Sequence, residues 1–149
     1  MVEESAASPW AATFEARKGW FDAFPLHHAM GLELLEARAG HAKCVMRTSP
    51  FTLGGVGGSV HGGLLAALVD IVMLAALNGI FADGEQPAGT ADLNITYLRP
   101  ALGKEIFAVA NVLKKGRQIV VIEVEITDGA GRLCAKGRTL YAVRPTPAS

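Results

Sequence analysis

A histidine and two glycines stand directly before a long apolar segment that contains a single acidic residue. These are His61, Gly62 and Gly63, and the segment over residues 64–77 is interrupted only by Asp70. Such a segment favours a helix buried on most sides, where an unpaired carboxylate costs several kcal/mol. The start of a helix offers free N–H groups and a positive dipole end to a developing negative charge. A carboxylate and such a helix start, so close together, predict acyl-transfer chemistry.

The spacing between Gly62 and Asp70 limits how they could act together. They are eight positions apart, which is a rise of ~12 Å along a helix. An oxyanion donor must lie ~3 Å from the oxygen that it stabilises, so one chain cannot readily bring both groups to one carbonyl. A second copy on a two-fold axis can, if the two helices run antiparallel. If the motif is catalytic, it predicts a homodimer with two shared sites.

Composition narrows the class of protein. The chain has 149 residues, about one domain, and half of them are hydrophobic. Its 14 Lys and Arg balance 14 Asp and Glu, so its charge indicates neither nucleic acid nor an anionic membrane as a partner. The N-terminus lacks the pattern of a signal peptide, and the segment 64–77 is shorter than the ~20 apolar residues that span a bilayer. We expect a cytoplasmic protein.

Hydrophobic periodicity and turn residues predict the elements that position these groups. Aromatic residues at helical spacing predict an N-terminal amphipathic helix over residues 9–24, with Ser8 as its cap and Pro9 in its first turn. Two strands follow, at 32–39 and 41–49, then a glycine-rich loop at 50–60 and a long helix at 61–81. A four-strand meander completes the chain, with strands at 90–97, 106–113, 118–127 and 133–143.

This order of elements indicates an α+β fold. A long apolar helix needs cover on nearly every side, and an antiparallel β-sheet wrapped around it supplies that cover. The arrangement is the hotdog fold, with a long central helix and an extra N-terminal helix.

Two segments carry a resemblance to a known family. One is Gly-Ser-Val-His-Gly-Gly at 58–63 with Asp70 nine positions after His61, and the other is Thr-Ala-Asp-Leu-Asn-Ile-Thr-Tyr-Leu-Arg-Pro at 90–100. Together they resemble the hotdog-fold acyl-CoA thioesterases of the phenylacetate-degradation type, over roughly residues 26–143. We therefore expect an N-terminal helical extension at 1–25, a hotdog thioesterase domain at 26–144 and a flexible tail at 145–149.

The resemblance implies hydrolysis of an acyl-CoA, with an aromatic or medium-chain acyl group, to a free acid and CoA without a cofactor. In similar enzymes the backbone N–H of the residue matching Gly62 polarises the thioester carbonyl. The acid matching Asp70 is the general base for water or the direct nucleophile. A hydroxyl residue at the position of Thr90 helps to place the water. The resemblance also suggests a homotetramer built from two dimers.

One position departs from the family pattern. Gly55 stands six residues before His61, where the family usually carries an Asn that assists the thioester side of the site. Thr52 and Ser59 are the hydroxyl residues that could compensate. This departure keeps open a non-catalytic acyl-CoA-binding hotdog domain. The other alternative is an acyl-thioester hydratase or dehydratase, although those usually rely on a His and an acid in another arrangement.

Two of the candidate site residues have competing interpretations. His61 is either a general base or a ring that fixes the turn while the neighbouring Gly62 N–H acts, and we favour the second. Thr90 shares an alternating polar strand face with Asp92, Asn94 and Thr96. It is therefore either part of the site or one residue of a solvated sheet face.

The remaining candidates concern substrate binding and metals. The phosphates of CoA require Lys or Arg, and Gly63 is a further candidate contact beside Gly62. The basic candidates are Arg99, the hairpin cluster Lys114, Lys115 and Arg117, and Lys136 with Arg138 on the last strand. Candidates for the acyl pocket are Phe51, Met73, Leu77 and Phe81. We predict no metal, because His27, His28 and His41 lack ligand spacing, and we expect Cys44 and Cys134 to be reduced packing residues.

Overall fold

A six-stranded antiparallel sheet curves around one long helix in the computed structural model, which describes residues 8–148. The first seven residues of the predicted N-terminal extension and Ser149 of the predicted tail lie outside the described residues. The helices are α1 (Phe14–Ala23), α2 (Pro25–Ala29) and α3 (Gly62–Leu77), with a 3₁₀ turn at Val56–Gly58. The strands are β1 (Leu32–Arg38), β2 (His41–Arg47), β3 (Glu85–Tyr97), β4 (Glu105–Lys115), β5 (Ile119–Asp128) and β6 (Leu133–Pro145). The predicted hotdog architecture is confirmed.

The strand order differs from the predicted meander. The sheet runs β1-β2-β4-β5-β6-β3, so β4, β5 and β6 are consecutive neighbours but β3 lies beyond β6. Since β2 already pairs with β4, the position that a meander would give to β3 is taken. The structure therefore moves β3 to an edge of the sheet, where it pairs on one side with β6.

The central helix packs closely on the sheet. Its buried side chains include Leu68, Val69 and Val72, and a Cβ at Gly137 of β6 would lie 2.7 Å from both methyl carbons of Val69. The absence of a side chain at Gly137 thus lets α3 approach β6. The helix ends at Leu77, four residues before the predicted end, because Asn78 adopts an extended backbone. The side-chain amide Nδ2 of Asn78 donates to the Pro9 and Ala11 carbonyl oxygens, at 3.3 and 3.0 Å.

The N-terminal helix starts later than predicted and covers one edge of the sheet. Thr13, not Ser8, is the N-cap of α1, and its Oγ1 accepts a hydrogen bond from the Ala16 N–H at 3.2 Å. The Asp22 carboxylate accepts from the Leu34 N–H of β1 at 2.8 Å, and Lys18 donates to the Leu34 carbonyl at 3.0 Å. Side chains of α1 therefore satisfy backbone groups that the edge strand β1 would otherwise expose.

The strand predicted at 90–97 and the one predicted at 133–143 are both longer in the structure. β3 begins at Glu85, before Pro87, which an edge strand tolerates because the missing N–H faces away from its partner. β6 continues to Pro145, and the Thr146 N–H donates to the Gly84 carbonyl at 2.7 Å. No helix within residues 8–148 is long and apolar enough to span a membrane.

Candidate active site

His61 caps the start of α3 and leaves one N–H free. Its backbone (φ −57°, ψ 129°) is outside the helix, and its Nδ1 accepts from the Gly63 N–H at 2.9 Å. The proton of the neutral ring therefore lies on Nε2, and the Gly63 N–H is used for capping rather than for substrate. Among the residues that the structure describes, the Gly62 N–H has no acceptor. This geometry is the one expected if the His61 ring fixes the turn and leaves the Gly62 N–H to act on the substrate.

Tyr97, at the end of β3, holds the first residue of α3. Its hydroxyl donates to the Gly62 carbonyl oxygen at 2.6 Å, and its ring would lie 3.4 Å from a Cβ at Gly62. Sequence reasoning missed this role, although Tyr97 belongs to the segment that carries the resemblance. The contact is visible only once the end of β3 is known to lie against the start of α3.

A cavity of about 410 Å³ opens beside the start of α3, and we call it the helix-start cavity. The residues of its wall that bear on chemistry are Gly55, Ser59, Gly62, Tyr97 and Arg99. Gly62, which has the free N–H, and Arg99 thus line the same cavity. One predicted basic residue therefore lies beside the predicted oxyanion donor.

The loop around Gly55 has no room for a side chain. A Cβ at Gly55 would contact the Ser59 hydroxyl and lie 2.6 Å from the Val60 carbonyl oxygen. Thr52 cannot compensate for the missing Asn, because its hydroxyl is 3.0 Å from both the N–H and the carbonyl oxygen of Ser49 within a turn. Of the two hydroxyl residues considered for this role, Ser59 is therefore the one that lines the helix-start cavity with Gly62.

Asp70 lies in the middle of α3 with a direct partner on β3. Its Oδ1 accepts from the Thr90 hydroxyl at 2.7 Å, and its side chain is half-buried. The prediction that Thr90 shares a face with Asp92 is wrong. A β-bulge interrupts the register between these two residues, so Thr90 turns toward α3 while Asp92 stays on the outer face.

Tyr141 of β6 is a second neighbour of Asp70 that sequence reasoning missed. It pairs with Thr90 across the strands and is 6% exposed. Burial raises the pKa of Tyr141, the negative charge of Asp70 raises it further, and a hydrogen bond with the Gly89 backbone acts in the opposite direction. A protonated phenol therefore lies within the electrostatic range of the Asp70 carboxylate.

A second cavity, of about 240 Å³, adjoins Asp70, and we call it the mid-helix cavity. It lies between α3 and the two N-terminal helices, with Trp20, Phe21 and Phe24 in its wall. Gly62 and Asp70 therefore line different cavities, in agreement with their ~12 Å separation along the helix axis. The acyl-pocket candidates named above are not in this wall. Met73 and Leu77 are core residues at 1% and 0% exposure, Phe51 is 61% exposed, and Phe81 packs edge-on against Trp10.

The predicted basic residues divide into groups at opposite ends of β3. Arg138 and Lys136 line a cavity that shares Leu98 with the helix-start cavity, and Lys136 pairs with Glu123 at 2.8 Å. The hairpin with Lys114, Lys115 and Arg117 is tied to the other end, because Lys115 pairs with Glu85 at 2.8 Å. A strand the length of β3 spans roughly 40 Å, so one chain does not bring this hairpin to Arg99.

The other histidines and the cysteines have structural surroundings. The buried His27 Nδ1 donates to the Phe21 carbonyl at 2.8 Å, and His41 bridges Asn111 and Glu36. Cys44 and Cys134 are free and buried, as predicted. Burial raises the pKa of Cys44 to about 12 and also raises that of Cys134. Over residues 8–148, no three His, Cys, Asp or Glu side chains are arranged to bind a metal ion.

Comparison with known proteins adds an independent line of evidence. The sequence model of one protein family, the Thioesterase superfamily, matches residues 57–135, which include the helix start and Asp70. The chain is similar to human acyl-coenzyme A thioesterase 13, with 37% identity over 109 residues, 72% of this chain and 76% of that protein. It is 26% identical over 132 residues to the medium/long-chain acyl-CoA thioesterase YigI of Escherichia coli K12, 80% of this chain and 85% of the relative. The crystal structure of zebra fish Thioesterase Superfamily Member 2 superposes with a TM-score of 0.74 at 31% identity, over 89% of this chain and 99% of that one.

Proposed function

Because this chain belongs to the thioesterase superfamily, we propose that it hydrolyses acyl-CoA thioesters to a free acid and CoA. The names of the two relatives, both acyl-CoA thioesterases, support CoA as the thiol. One observation carries the proposal: α3 presents a free N–H at its first residue and a carboxylate, held by Thr90 at 2.7 Å, at its ninth. The phenylacetate-degradation subtype stays a prediction.

In the proposed reaction, Asp70 acts on the water. Since Oδ1 accepts from Thr90, Oδ2 is available to accept a proton from a water molecule that attacks the thioester carbon. The Gly62 N–H and the dipole of α3 stabilise the oxyanion. The tetrahedral intermediate then collapses and the C–S bond breaks. The departing CoA thiolate takes from Asp70 the proton that came from the water. Direct attack by Asp70 is the alternative, with an anhydride intermediate that water hydrolyses.

Ser59 provides a second hydrogen-bond donor on the thioester side. Its hydroxyl occupies the space beside Gly55 and belongs to the wall of the helix-start cavity. A hydroxyl can donate to the same carbonyl oxygen that the Gly62 N–H polarises. In this role Ser59 replaces the Asn that the family usually carries at the position of Gly55. The case for a non-catalytic binding domain is correspondingly weaker.

Each site is completed by a second copy of the chain. Within residues 8–148, β3 pairs on one side only, whereas α1 covers the opposite edge of the sheet. Two β3 edges can pair antiparallel about a two-fold axis. An axis near Leu93 and Asn94 brings Thr90 of one copy to Tyr97 of the other. Asp70 of each copy then approaches the Gly62 of its partner copy.

The same axis also explains the separated basic residues. It brings the β4–β5 hairpin of one copy, which is tied to the start of β3, toward the end of β3 in the other. Arg99 and Arg138 of one copy and the hairpin of the second then surround the phosphates of one CoA. The homotetramer stays a prediction of the resemblance.

Thiol release tests the proposed function. Wild type and Asp70→Asn are assayed on a panel of acyl-CoAs, and we expect kcat to fall roughly 10²–10⁴-fold in the variant. Asp83→Asn, at an exposed turn, is the control and should keep wild-type turnover. Wild-type turnover in Asp70→Asn contradicts the mechanism. Hydration of an enoyl thioester would show a hydratase, and tight binding without turnover a binding domain.

A further inference from the structure

Apart from Asp70, the wall of the mid-helix cavity contains, within residues 8–148, only two residues with charged or titratable side chains, Arg17 and His27. Arg17 belongs to its wall, but the two terminal nitrogens of that side chain donate to the Ala11, Ala12 and Ala37 carbonyls. His27 in the same wall uses Nδ1 for the Phe21 carbonyl. Arg17 Nε is the buried donor of this wall that has no hydrogen-bond partner among the described residues. Most of the remaining wall is apolar, including Leu34, Ile71 and Leu74.

Water is a poor occupant of such a space. A buried water needs two to four polar partners, and apolar cavities of about 150 Å³ stay dry and bind apolar molecules. The mid-helix cavity is larger, at about 240 Å³. Its size and lining therefore fit an apolar ligand that is attached to a polar group near Asp70.

The shape of the wall indicates an aliphatic chain. Along α3 the wall is formed by Asp70, Ile71, Leu74 and Ala75, which lie on one helix face. Ala75 is ~7.5 Å further along the helix axis than Asp70, so the cavity extends away from the carboxylate.

The aromatic side of the wall is already packed on itself. Ring centroids are 5.1 Å apart for Trp20 and Phe24, 4.9 Å for Phe24 and His27, and 4.4 Å for Phe21 and His27. These rings already contact one another, and much of the rest of the wall is aliphatic, including Leu26 and Leu34. A flexible chain fits this surface better than a further stacked ring.

We propose that the mid-helix cavity binds the acyl chain of the substrate, an aliphatic chain of medium length that lies between α3 and the N-terminal helices. The assignment rests on the proposed thioesterase function. α1 and α2 then determine chain length, in addition to covering the edge of β1. The thioester lies at the mouth of the cavity beside Asp70, and CoA extends toward the helix-start cavity of the second copy.

Filling the cavity tests the assignment. We measure kcat/KM for acetyl- to decanoyl-CoA and for phenylacetyl-CoA in wild type, Ala75→Leu and the control Ala130→Leu, which adds the same group at an exposed turn outside this wall. In wild type, each added methylene should raise kcat/KM roughly fourfold until the cavity is full. In Ala75→Leu the preference for octanoyl- over acetyl-CoA should fall at least tenfold, while Ala130→Leu keeps the wild-type series.

Two outcomes of this assay overturn the assignment while leaving the thioesterase function in place. One is an equal loss at every chain length in Ala75→Leu, or an unchanged series. The other is a wild-type preference for phenylacetyl-CoA over every aliphatic substrate.

A binding measurement decides the matter independently of hydrolysis. The chain has two tryptophans, and Trp20 is the one in the cavity wall, so a Trp10→Phe background isolates its fluorescence. Octanamide, whose neutral head group is not repelled by Asp70, should shift the Trp20 emission saturably, and Ala75→Leu should weaken that binding at least tenfold. If no acyl-CoA is hydrolysed, the proposed function fails, yet this titration still tests the cavity. An unchanged Trp20 emission up to the solubility limit of octanamide overturns the assignment.

Discussion

The start and the middle of α3 provide opposite chemistry in different ways. At the start, the donor is a backbone N–H, left free because His61 caps the next one and fixed by Tyr97 on the adjacent carbonyl. In the middle, the acceptor is the Asp70 side chain, oriented by Thr90. The first region depends on a backbone N–H, and the second depends on particular side chains from two elements.

This difference determines what one chain can do alone. A single α3 keeps its donor and its acceptor apart by ~12 Å, and they line separate cavities. In the proposed mechanism, each region is half of a hydrolytic site. Substitutions that damage one region and spare the other therefore test whether the halves meet across two copies.

Mixed dimers of two inactive variants give the largest expected effect. Asp70→Asn removes the acceptor, and Gly62→Pro removes the donor N–H, with an expected loss of roughly 10²–10³-fold in kcat for the donor. Proline is tolerated at the first helical position, and the backbone of His61 has the conformation required before proline. After joint refolding, a two-fold dimer should recover about a quarter of wild-type thiol release, because half of the dimers have one intact site.

Gly62→Ala is the control for this experiment. It keeps the N–H and adds the Cβ that Gly62→Pro also brings against Tyr97 at 3.4 Å. We expect Gly62→Ala to retain much more activity than Gly62→Pro. No recovery in a mixture that size-exclusion chromatography shows to be dimeric would mean that each site lies within one chain.

Removing the hydroxyl that orients Asp70 should have a smaller effect. A hydrogen bond to a charged group contributes ~1.5–3 kcal/mol, and each 1.4 kcal/mol is tenfold in rate. Because the Thr90 side chain is exposed, we expect the lower end, roughly a tenfold loss of kcat in Thr90→Val. Thr90→Ser restores the hydroxyl and should restore kcat, whereas equal rates in both variants would leave Thr90 with a packing role.

The residues proposed for catalysis in both regions could be singled out from local spacing. His61, Gly62 and Asp70 belong to one continuous helical segment, and helix geometry alone fixes their separation. The central helix and the wrapped sheet followed from hydrophobic periodicity, which reports which faces are buried.

Features that depend on non-local pairing could not be predicted in this way. The bulge that turns Thr90 toward Asp70 is visible only against β6, and the edge position of β3 depends on β2 occupying the place beside β4. Tyr97 likewise acquires its role when the end of β3 meets the start of α3. Alternation along a single strand carries no information about such contacts.

The role of His61 at the helix start can be separated from catalysis. Asn is also a good N-cap, so His61→Asn should keep kcat within a few-fold and the thermal midpoint within a few degrees. His61→Ala should lose ~0.5–2 kcal/mol of stability through the cap. Chemical denaturation and thiol-release assays measure the two effects. A loss of kcat near that of Asp70→Asn, in both variants, would identify His61 as a general base.

The smallest expected effect is on the pH dependence of stability. The wall of the mid-helix cavity contains His27, whereas the wall of the helix-start cavity contains no histidine. Burial lowers the pKa of His27, although its bond to the Phe21 backbone and the charge of Asp22 oppose the shift. Between the folded pKa and ~6.5, the unfolded chain binds more protons, so this contribution to stability is complete above pH ~6.5 and is lost as the pH falls. Thermal midpoints should therefore decline less from pH 7 to pH 5 in His27→Gln than in wild type, by a few degrees at most. His28→Gln, at an exposed neighbour, should keep the wild-type slope, and an identical slope in His27→Gln would show that the N-terminal wall does not disfavour a charged histidine.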